Sequence, residues 1–183
     1  MKNLFLIVFT LLSSCNFQNS DSSNKNLSPL VEEFNVPLDP TTYYLIRHAE
    51  KDRSDPLNKD PKLTEEGLKR AEKWKEALKE VPFDMVYSTG YNRTKETAKP
   101  IADANDLEIE IYDPNNLYDQ EFQEKTVGKT VLVVGHSNTT PAFVNAILKN
   151  EKYKDLPDDE NGGLFIVTVS SNQTVSSQLL YIN

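Results

Sequence analysis

The sequence contains two histidines, and each directly follows an apolar segment that is typical of a β-strand. His48 comes after residues 42–47, and His136 comes after the run at 131–135. A strand that ends on a titratable side chain carries it to the carboxyl edge of a sheet, where open α/β folds build their sites. We therefore expect the two imidazoles to share one active site.

Two arginines accompany the histidines in a pattern that suits phosphoryl transfer. Arg47 precedes His48, and Arg93 follows the second predicted strand. A transferred phosphoryl group spreads negative charge over three equatorial oxygens, so its site needs converging cationic donors and an in-line nucleophile. Guanidinium groups are planar, permanently charged and bidentate toward oxyanions, and a neutral imidazole can attack phosphorus. These residue types predict His48 as the nucleophile of an anion site.

Paired histidines also occur in metal sites, which is the main alternative chemistry. A stable transition-metal site usually needs a third or fourth ligand at helix or turn spacing. No further histidine is present, and the only cysteine is Cys15, far from both histidine motifs in the sequence. The pattern therefore favours catalysis without a bound metal or other cofactor.

The length and charge of the chain restrict its fold and its partners. The 183 residues are enough for one domain of ordinary size with a buried core. The formal net charge of -8 argues against a nucleic acid as partner, because such a partner requires a clustered basic surface. An acidic balance of this kind mainly promotes solubility.

The N-terminal residues have the features of an export signal. A weakly basic start precedes an apolar run at 4–12 that is too short to span a bilayer, and small residues lead to Cys15. Segment 1–15 resembles a bacterial lipoprotein signal, in which the cysteine takes a lipid that anchors the mature chain in a membrane; an ordinary secretory leader is the alternative. Residues 16–38, rich in Ser, Asn, Asp and Pro, are interpreted as a flexible tether. We expect a domain at 39–183 that is lipid-anchored to the cell envelope, on an extracytoplasmic (periplasmic or outer-surface) face.

After the tether, segments whose apolar residues are spaced as in strands alternate with segments whose apolar residues are spaced as in helices. Thr64 is the expected N-cap of the first helix. The inner face of that helix is predicted to contain Leu68, Ala71, Trp74, Lys75 and Leu78. The predicted strands cover 42–47, 83–87, 108–111, 131–134, 164–169 and 175–182, and the predicted helices cover 64–80, 92–104 and 139–149. This order predicts a three-layer α/β/α sandwich with a mostly parallel sheet and an antiparallel edge strand.

Four segments resemble, in order, the signature of the histidine phosphatase superfamily, the phosphoglycerate-mutase-like proteins. They are Leu45 to Lys51, Leu63 to Gly67, Tyr87 to Thr89 followed by Arg93 and Thr97-Ala98, and Val134 to Ser137. The resemblance implies the phosphoglycerate-mutase-like fold and a phosphate pocket of Arg47, Arg93 and His136 around the nucleophile His48. A protonated His136 would add charge to this clamp.

The same resemblance adds two candidate substrate-binding residues and helps to distinguish a hydrolase from a mutase. Glu50 falls within the signature, and Ser54 stands where the family often carries a phosphate-binding asparagine. The segment between 111 and 131 has room for about one loop with a short helix, and not for the cap that holds a bisphosphate in mutases. Hydrolysis of a small phosphorylated substrate is therefore favoured over mutase activity.

The general acid is predicted from the family's Leu-x-Glu segment after the third strand. Residues 117–119 resemble that segment and favour Asp119, with Asp113, Glu121 and Glu50 as rivals. Short members that lack this acid act on phosphoramidates. A phosphohistidine-protein phosphatase is therefore an alternative to a phosphomonoesterase, and a catalytically inactive phosphate-binding or sensing protein is a second alternative.

The acidic segment 158–163 precedes the last two predicted strands. Its composition is typical of a polar loop with a glycine turn, and we interpret it in this way. A place on the rim of the pocket is the alternative.

Overall fold

The structure of the protein, a computed structural model, describes residues 39–182. The predicted leader with Cys15 and the predicted tether at 16–38 lie outside the described residues. Within 39–182, no helix combines the length and the apolar character needed to cross a bilayer.

The strands are β1 (Thr41–Arg47), β2 (Met85–Ser88), β3 (Ile109–Ile111), β4 (Thr130–Gly135), β5 (Gly163–Val169) and β6 (Val175–Tyr181). The helices are α1 (Glu65–Ala77), α2 (Asn92–Ala104), α3 (Gln120–Thr126) and α4 (Thr139–Leu148).

The strands form one 6-stranded sheet in the order β3-β2-β4-β1-β5-β6. β3, β2, β4 and β1 run parallel, whereas β5 is antiparallel to both β1 and β6. The antiparallel strand therefore lies second from the edge, because the β5–β6 hairpin closes the sheet on that side. The carboxyl ends of β1 and β4 open side by side at one edge, which is where a site is expected in such a sheet.

Each face of the sheet carries its own apolar core, because successive side chains of a strand point to opposite faces. On one face, Leu45 of β1 shares a core with Phe143 of α4. On the other face, the next residue, Ile46, shares a core with Trp74 of α1 and Ile101 of α2. The predicted three-layer α/β/α sandwich is confirmed.

The start of α1 fixes the chain that follows β1. Thr64 caps the helix by accepting a hydrogen bond from the Gly67 N–H at 3.0 Å, and the Thr64 N–H donates to the Glu50 carbonyl at 2.9 Å. Gly67 packs so closely on Glu50 that a Cβ would overlap the carbonyl oxygen. Glycine permits this approach because it has no Cβ. The Leu-Thr-x-x-Gly segment thus ties α1 to a residue two positions beyond His48.

The inner face of α1 differs from the predicted face. The helix ends at Ala77, and its buried residues are Gly67, Ala71 and Trp74. The prediction that Leu68 points inward is wrong, since its exposure is 50%. The contact with Glu50 turns Gly67 inward, and the next residue lies roughly 100° further around the helix.

Candidate active site

The two histidines lie side by side at the carboxyl edge of the sheet. The parallel register pairs Arg47 of β1 with Gly135 of β4, so His48 and His136 are the first residues beyond the paired strands. The His48 N–H donates to the Gly135 carbonyl at 2.9 Å, and the two ring centroids lie 5.4 Å apart. The structure therefore brings together the pair that the sequence predicts to share a site.

The His48 ring is held in a single tautomer. Nδ1 lies 2.7 Å from the carbonyl oxygen of Ala49, which can only accept, so Nδ1 carries the proton and Nε2 keeps its lone pair. Within residues 39–182, no hydrogen-bond partner contacts Nε2. Burial, helped by the charges of Arg47 and Arg93, lowers the pKa of His48 from 6.5 to about 3. The ring is neutral at pH 7, which is the form that a nucleophile requires.

Both ring nitrogens of His136, in contrast, have partners. Arg93 Nη2 lies 3.5 Å from Nδ1 and can only donate, so Nε2 carries the proton and donates to Thr89 Oγ1 at 3.0 Å. Burial and the neighbouring cations, Arg93 first and Lys51 second, lower the pKa of His136 to about 4. Both effects disfavour another positive charge, so His136 is neutral at pH 7 and the expectation of a protonated ring is wrong.

Arg93 lies in the first turn of α2 with its guanidinium toward His136. Its Cζ is 4.3 Å from the centroid of the Tyr91 ring, and its Nη1 is 3.8 Å from Asp60 Oδ1. A ring face and a carboxylate at this distance hold a guanidinium more weakly than a bidentate ion pair does. Arg93 therefore keeps donors that an oxyanion can use.

Arg47 is fully buried and bound to the segment that precedes β5. Its Nη1 donates to the carbonyl oxygens of Pro157 at 2.8 Å and Glu160 at 3.0 Å, and its Nη2 donates to Asp158 Oδ1 at 3.1 Å. The Nε atoms of Arg47 and of Arg93 are buried and have no partner among the described residues. Buried donors without partners are costly, so both guanidiniums keep unused hydrogen-bonding capacity.

These side chains surround a cavity of about 430 Å³, which we call the cationic pocket. Its charged residues and imidazoles are Arg47, His48, Lys51, Arg93, His136 and Asp158. Asp158 is the only carboxylate that lines it within residues 39–182. A strongly cationic pocket around a neutral imidazole can bind an oxyanion and present phosphorus to a nitrogen nucleophile.

Sequence reasoning missed Lys51 and underrated Asp158. Lys51 directly follows the Arg-His-Ala-Glu segment, and only its place in that motif gave a signal. Burial and the charges of Arg93 and Arg53 lower its pKa. Asp158 belongs to the segment that we interpreted as a polar loop; its contact with Arg47 shows that the rim alternative describes it better.

Asp119, the predicted general acid, lies outside the cationic pocket. It caps α3 through a 2.8 Å hydrogen bond from the Phe122 N–H to Oδ1, and Asn116 Nδ2 donates to its Oδ2 at 2.6 Å. It lines a neighbouring cavity of about 160 Å³ together with the rivals Asp113 and Glu121. Its role as a proton donor stays a prediction.

Glu50 and Ser54 also lie apart from the oxyanion donors. The Glu50 carboxylate accepts from Arg70 Nε at 2.6 Å and faces a second cavity beside His48. Ser54 lies in an exposed loop, where its N–H donates to Asp52 Oδ1 at 2.8 Å. Their predicted contacts with substrate stay predictions. Within residues 39–182, no three His, Cys, Asp or Glu side chains are grouped so as to hold a metal ion.

Comparison with known families agrees with this geometry. The model of the histidine phosphatase superfamily (branch 1) matches residues 43–114, which include most of β1 together with His48 and Arg93. Over these residues the chain is similar to the histidine phosphatase superfamily. No match was found among curated proteins.

Solved structures with the same fold include several proteins of phosphate chemistry. The protein histidine phosphatase SixA complexed with tungstate is 16% identical, with a TM-score of 0.57, and the match covers 76% of this chain and 96% of SixA. Phosphoserine phosphatase from Entamoeba histolytica, in complex with 3-phosphoglyceric acid, is 18% identical, with a TM-score of 0.59 and coverage of 78% and 97%. Phosphoglycerate mutase from Bacillus anthracis is 15% identical, with a TM-score of 0.59 and coverage of 78% and 93%. At these identities the likeness concerns the fold alone.

Proposed function

We propose that this protein is a phosphatase that transfers a phosphoryl group first to His48 and then to water. The observation that carries the proposal is the neutral, buried His48 ring, whose Nδ1 is tied to Ala49 and whose Nε2 has no partner within 39–182. Arg47, Arg93 and His136 line the same pocket. The similarity of residues 43–114 to the histidine phosphatase superfamily supports this reading.

The proposed reaction has two displacements at phosphorus. The lone pair of His48 Nε2 attacks phosphorus and forms a P–N bond, while the bond to the leaving group breaks and its electron pair goes to that group. The imidazole becomes cationic, and the Ala49 carbonyl stabilises the proton on Nδ1. Water then attacks phosphorus, the electron pair of the P–N bond returns to Nε2, and the proton from water passes to solvent. Inorganic phosphate is the product.

The surroundings of the leaving group favour phosphoramidates, phosphohistidine among them, over ordinary phosphomonoesters. An alkoxide needs a proton as it leaves, an effect of about 10²- to 10⁴-fold. Asp158 lines the pocket, but its hydrogen bonds with Arg53 and Arg47 hold its pKa below the usual range, so it is ionised at neutral pH. A phosphoramidate nitrogen is basic enough to take its proton from water. The fold shared with SixA, which is a protein histidine phosphatase, supports this second reading.

The connection between β3 and β4 supports hydrolysis over mutase activity. It contains a single short helix, α3 at Gln120–Thr126, as the length of the segment predicts. A mutase must retain an intermediate and exclude water, which requires a larger cover over the pocket. Water is therefore the proposed acceptor.

We also propose, from the N-terminal sequence alone, that the chain acts outside the cytoplasm and is held by a lipid on Cys15. Replacement of Cys15 by serine should abolish incorporation of labelled palmitate in cells that express the protein. Unchanged labelling of the serine variant would contradict the anchor.

The function can be tested with phosphoramidate and p-nitrophenyl phosphate, using purified wild-type protein and the His48→Ala variant. We expect an acid-labile, base-stable phosphoryl label on His48, and a loss of turnover in the variant of at least about 10³-fold. Equal rates for the two proteins would rule out the assignment. Wild-type protein that binds vanadate but never acquires the label would instead favour the binding or sensing alternative.

A further inference from the structure

Arg47 is anchored by the backbone on one side and by a carboxylate on the other. The carbonyl oxygens of Pro157 and Glu160 both accept from Nη1, and Asp158 Oδ1 accepts from Nη2. The Arg47 side chain is only 2% exposed, so its charge requires this compensation. The two carbonyl contacts hold the guanidinium in place independently of Asp158.

Among the described residues, Asp158 forms two ion pairs, one with the buried Arg47 and one with the exposed Arg53. The Asp158 side chain is 74% exposed, and its Oδ2 lies 2.9 Å from Nη1 of Arg53, which is also exposed. The pair with Arg53 is weak because water solvates both partners, and Arg47, although buried, keeps two carbonyl acceptors when the exposed carboxylate turns to solvent. The carboxylate can therefore leave Arg47 while the segment keeps its backbone contacts.

The position of this carboxylate matters because Asp158 lines the cationic pocket together with His48, Arg93 and His136. A guanidinium recognises carboxylates and phosphoryl groups through the same parallel donors. One of the two arginines proposed to bind the phosphoryl group thus already has an anion of the protein on Nη2.

We propose that Asp158 is a specificity-determining residue that competes with the phosphoryl group for Arg47. The inference rests on the proposed function, since it assumes that the cationic pocket binds a tetrahedral oxyanion. An incoming dianion must displace Asp158 from Nη2 or bind beside its negative charge, and either event weakens binding. Asp158 therefore favours release of inorganic phosphate and disfavours substrates with a second anionic group next to the phosphoryl group.

The chain offers a matched control for this inference. Asp159 is the next residue, is exposed, and lines the cavity beside the cationic pocket. Within 39–182 it forms no hydrogen bond or ion pair with Arg47, so Asp159→Asn removes the same charge from the same segment without freeing that arginine.

Titration calorimetry of the purified protein with inorganic phosphate and with tungstate tests the proposal. We expect Asp158→Asn to lower the Kd of both anions about tenfold, which corresponds to removal of one like charge near the site, and Asp159→Asn to change it less than twofold. Asp158→Ser repeats the test with a smaller side chain and should also tighten binding.

Unchanged or weaker binding by both Asp158 variants would overturn the inference, because it would mean that Asp158 only positions Arg47. An equal gain in the Asp159 variant would also overturn it, since the effect would then be one of net charge. If the affinity for phosphate responds to Asp158→Asn while no label forms on His48, the proposed function fails and the competition stands.

Discussion

The ends of β1 and β4 carry the same type of side chain but hold it in different ways. The His48 ring has one partner, the carbonyl of the very next residue, Ala49, and keeps a free Nε2 within the described residues. The His136 ring has two partners, Thr89 and Arg93, both from the segment after β2. The comparison teaches that the strand places an imidazole in the site, whereas its hydrogen-bond partners decide what it can do there.

The two rings also differ in how far along the sequence their hydrogen-bond partners lie. The His48 tautomer depends on local backbone, which Thr97 steadies by accepting from the Ala49 N–H at 2.9 Å. The His136 ring depends on a chain of hydroxyls, because Thr89 Oγ1 lies 2.9 Å from Thr94 Oγ1. A free lone pair suits a nucleophile, and a ring with both nitrogens engaged suits a residue that lines and shapes the anion site.

The largest expected difference separates the two histidines themselves. His48→Asn should abolish the phosphoryl label and lower turnover by at least about 10³-fold, because the nucleophile is lost. His136→Asn should still acquire the label, with the rate of labelling about 10²-fold lower, because only stabilisation of the transferred group is lost. Rapid-quench labelling measures both rates. A labelled His48 variant together with an unlabelled His136 variant would contradict the assignment of His48 as the nucleophile.

A smaller difference is expected between the threonines that support the two rings. Thr97→Val removes the acceptor for Ala49 and should slow labelling about tenfold while the affinity for vanadate stays the same. Thr89→Val leaves the His136 Nε2–H without an acceptor and should weaken vanadate binding about threefold. Valine keeps the shape of threonine at these buried positions, so each variant reports on the hydrogen bonds of one hydroxyl, which for Thr97 include the bond it donates to the Arg93 carbonyl. Identical effects on labelling and on binding would contradict the division of roles.

The two histidines also affect the pH dependence of stability. The unfolded chain protonates its histidines near pH 6.5, whereas the folded pKa values are about 3 for His48 and about 4 for His136. The unfolded state therefore binds more protons as the pH falls below 6.5, and the contribution of the neutral rings to stability declines until the folded pKa is reached.

We expect wild-type protein to lose more stability between pH 7.5 and pH 4.5 than His136→Asn does, as measured by the urea midpoint at each pH. The carboxylates titrate in both proteins, so the difference between the two curves isolates the imidazole. Parallel curves would mean that the ring of His136 is not held neutral by the fold.

Much of the fold follows from local patterns. The apolar run of β4 and the helical period of α2 predicted elements that the structure confirms at Thr130–Gly135 and Asn92–Ala104. Thr64 was predictable as an N-cap because capping depends on residues within one turn. The exposure of Leu68 could not be predicted, because the contact of Gly67 with Glu50, a residue of another segment, decides which face of α1 is buried.

The candidate site shows the same division. Arg47, His48, Arg93 and His136 could be expected to meet because each lies at or just beyond the end of a strand in one sheet. Asp119 matched a motif, yet its carboxylate caps α3 in a neighbouring cavity. The contact between Arg47 and Asp158 joins positions 111 residues apart, and no periodicity of the sequence predicts it.

The sequence by itself determined which groups can do chemistry here, because residue types and strand ends are local properties. It also determined the order of strands and helices, and through that order the edge at which the imidazoles and guanidiniums gather. Only the tertiary structure decided which nitrogen of each imidazole is free and which anion Arg47 already holds. Those outcomes depend on distances between segments that are remote in the chain, and packing alone sets such distances.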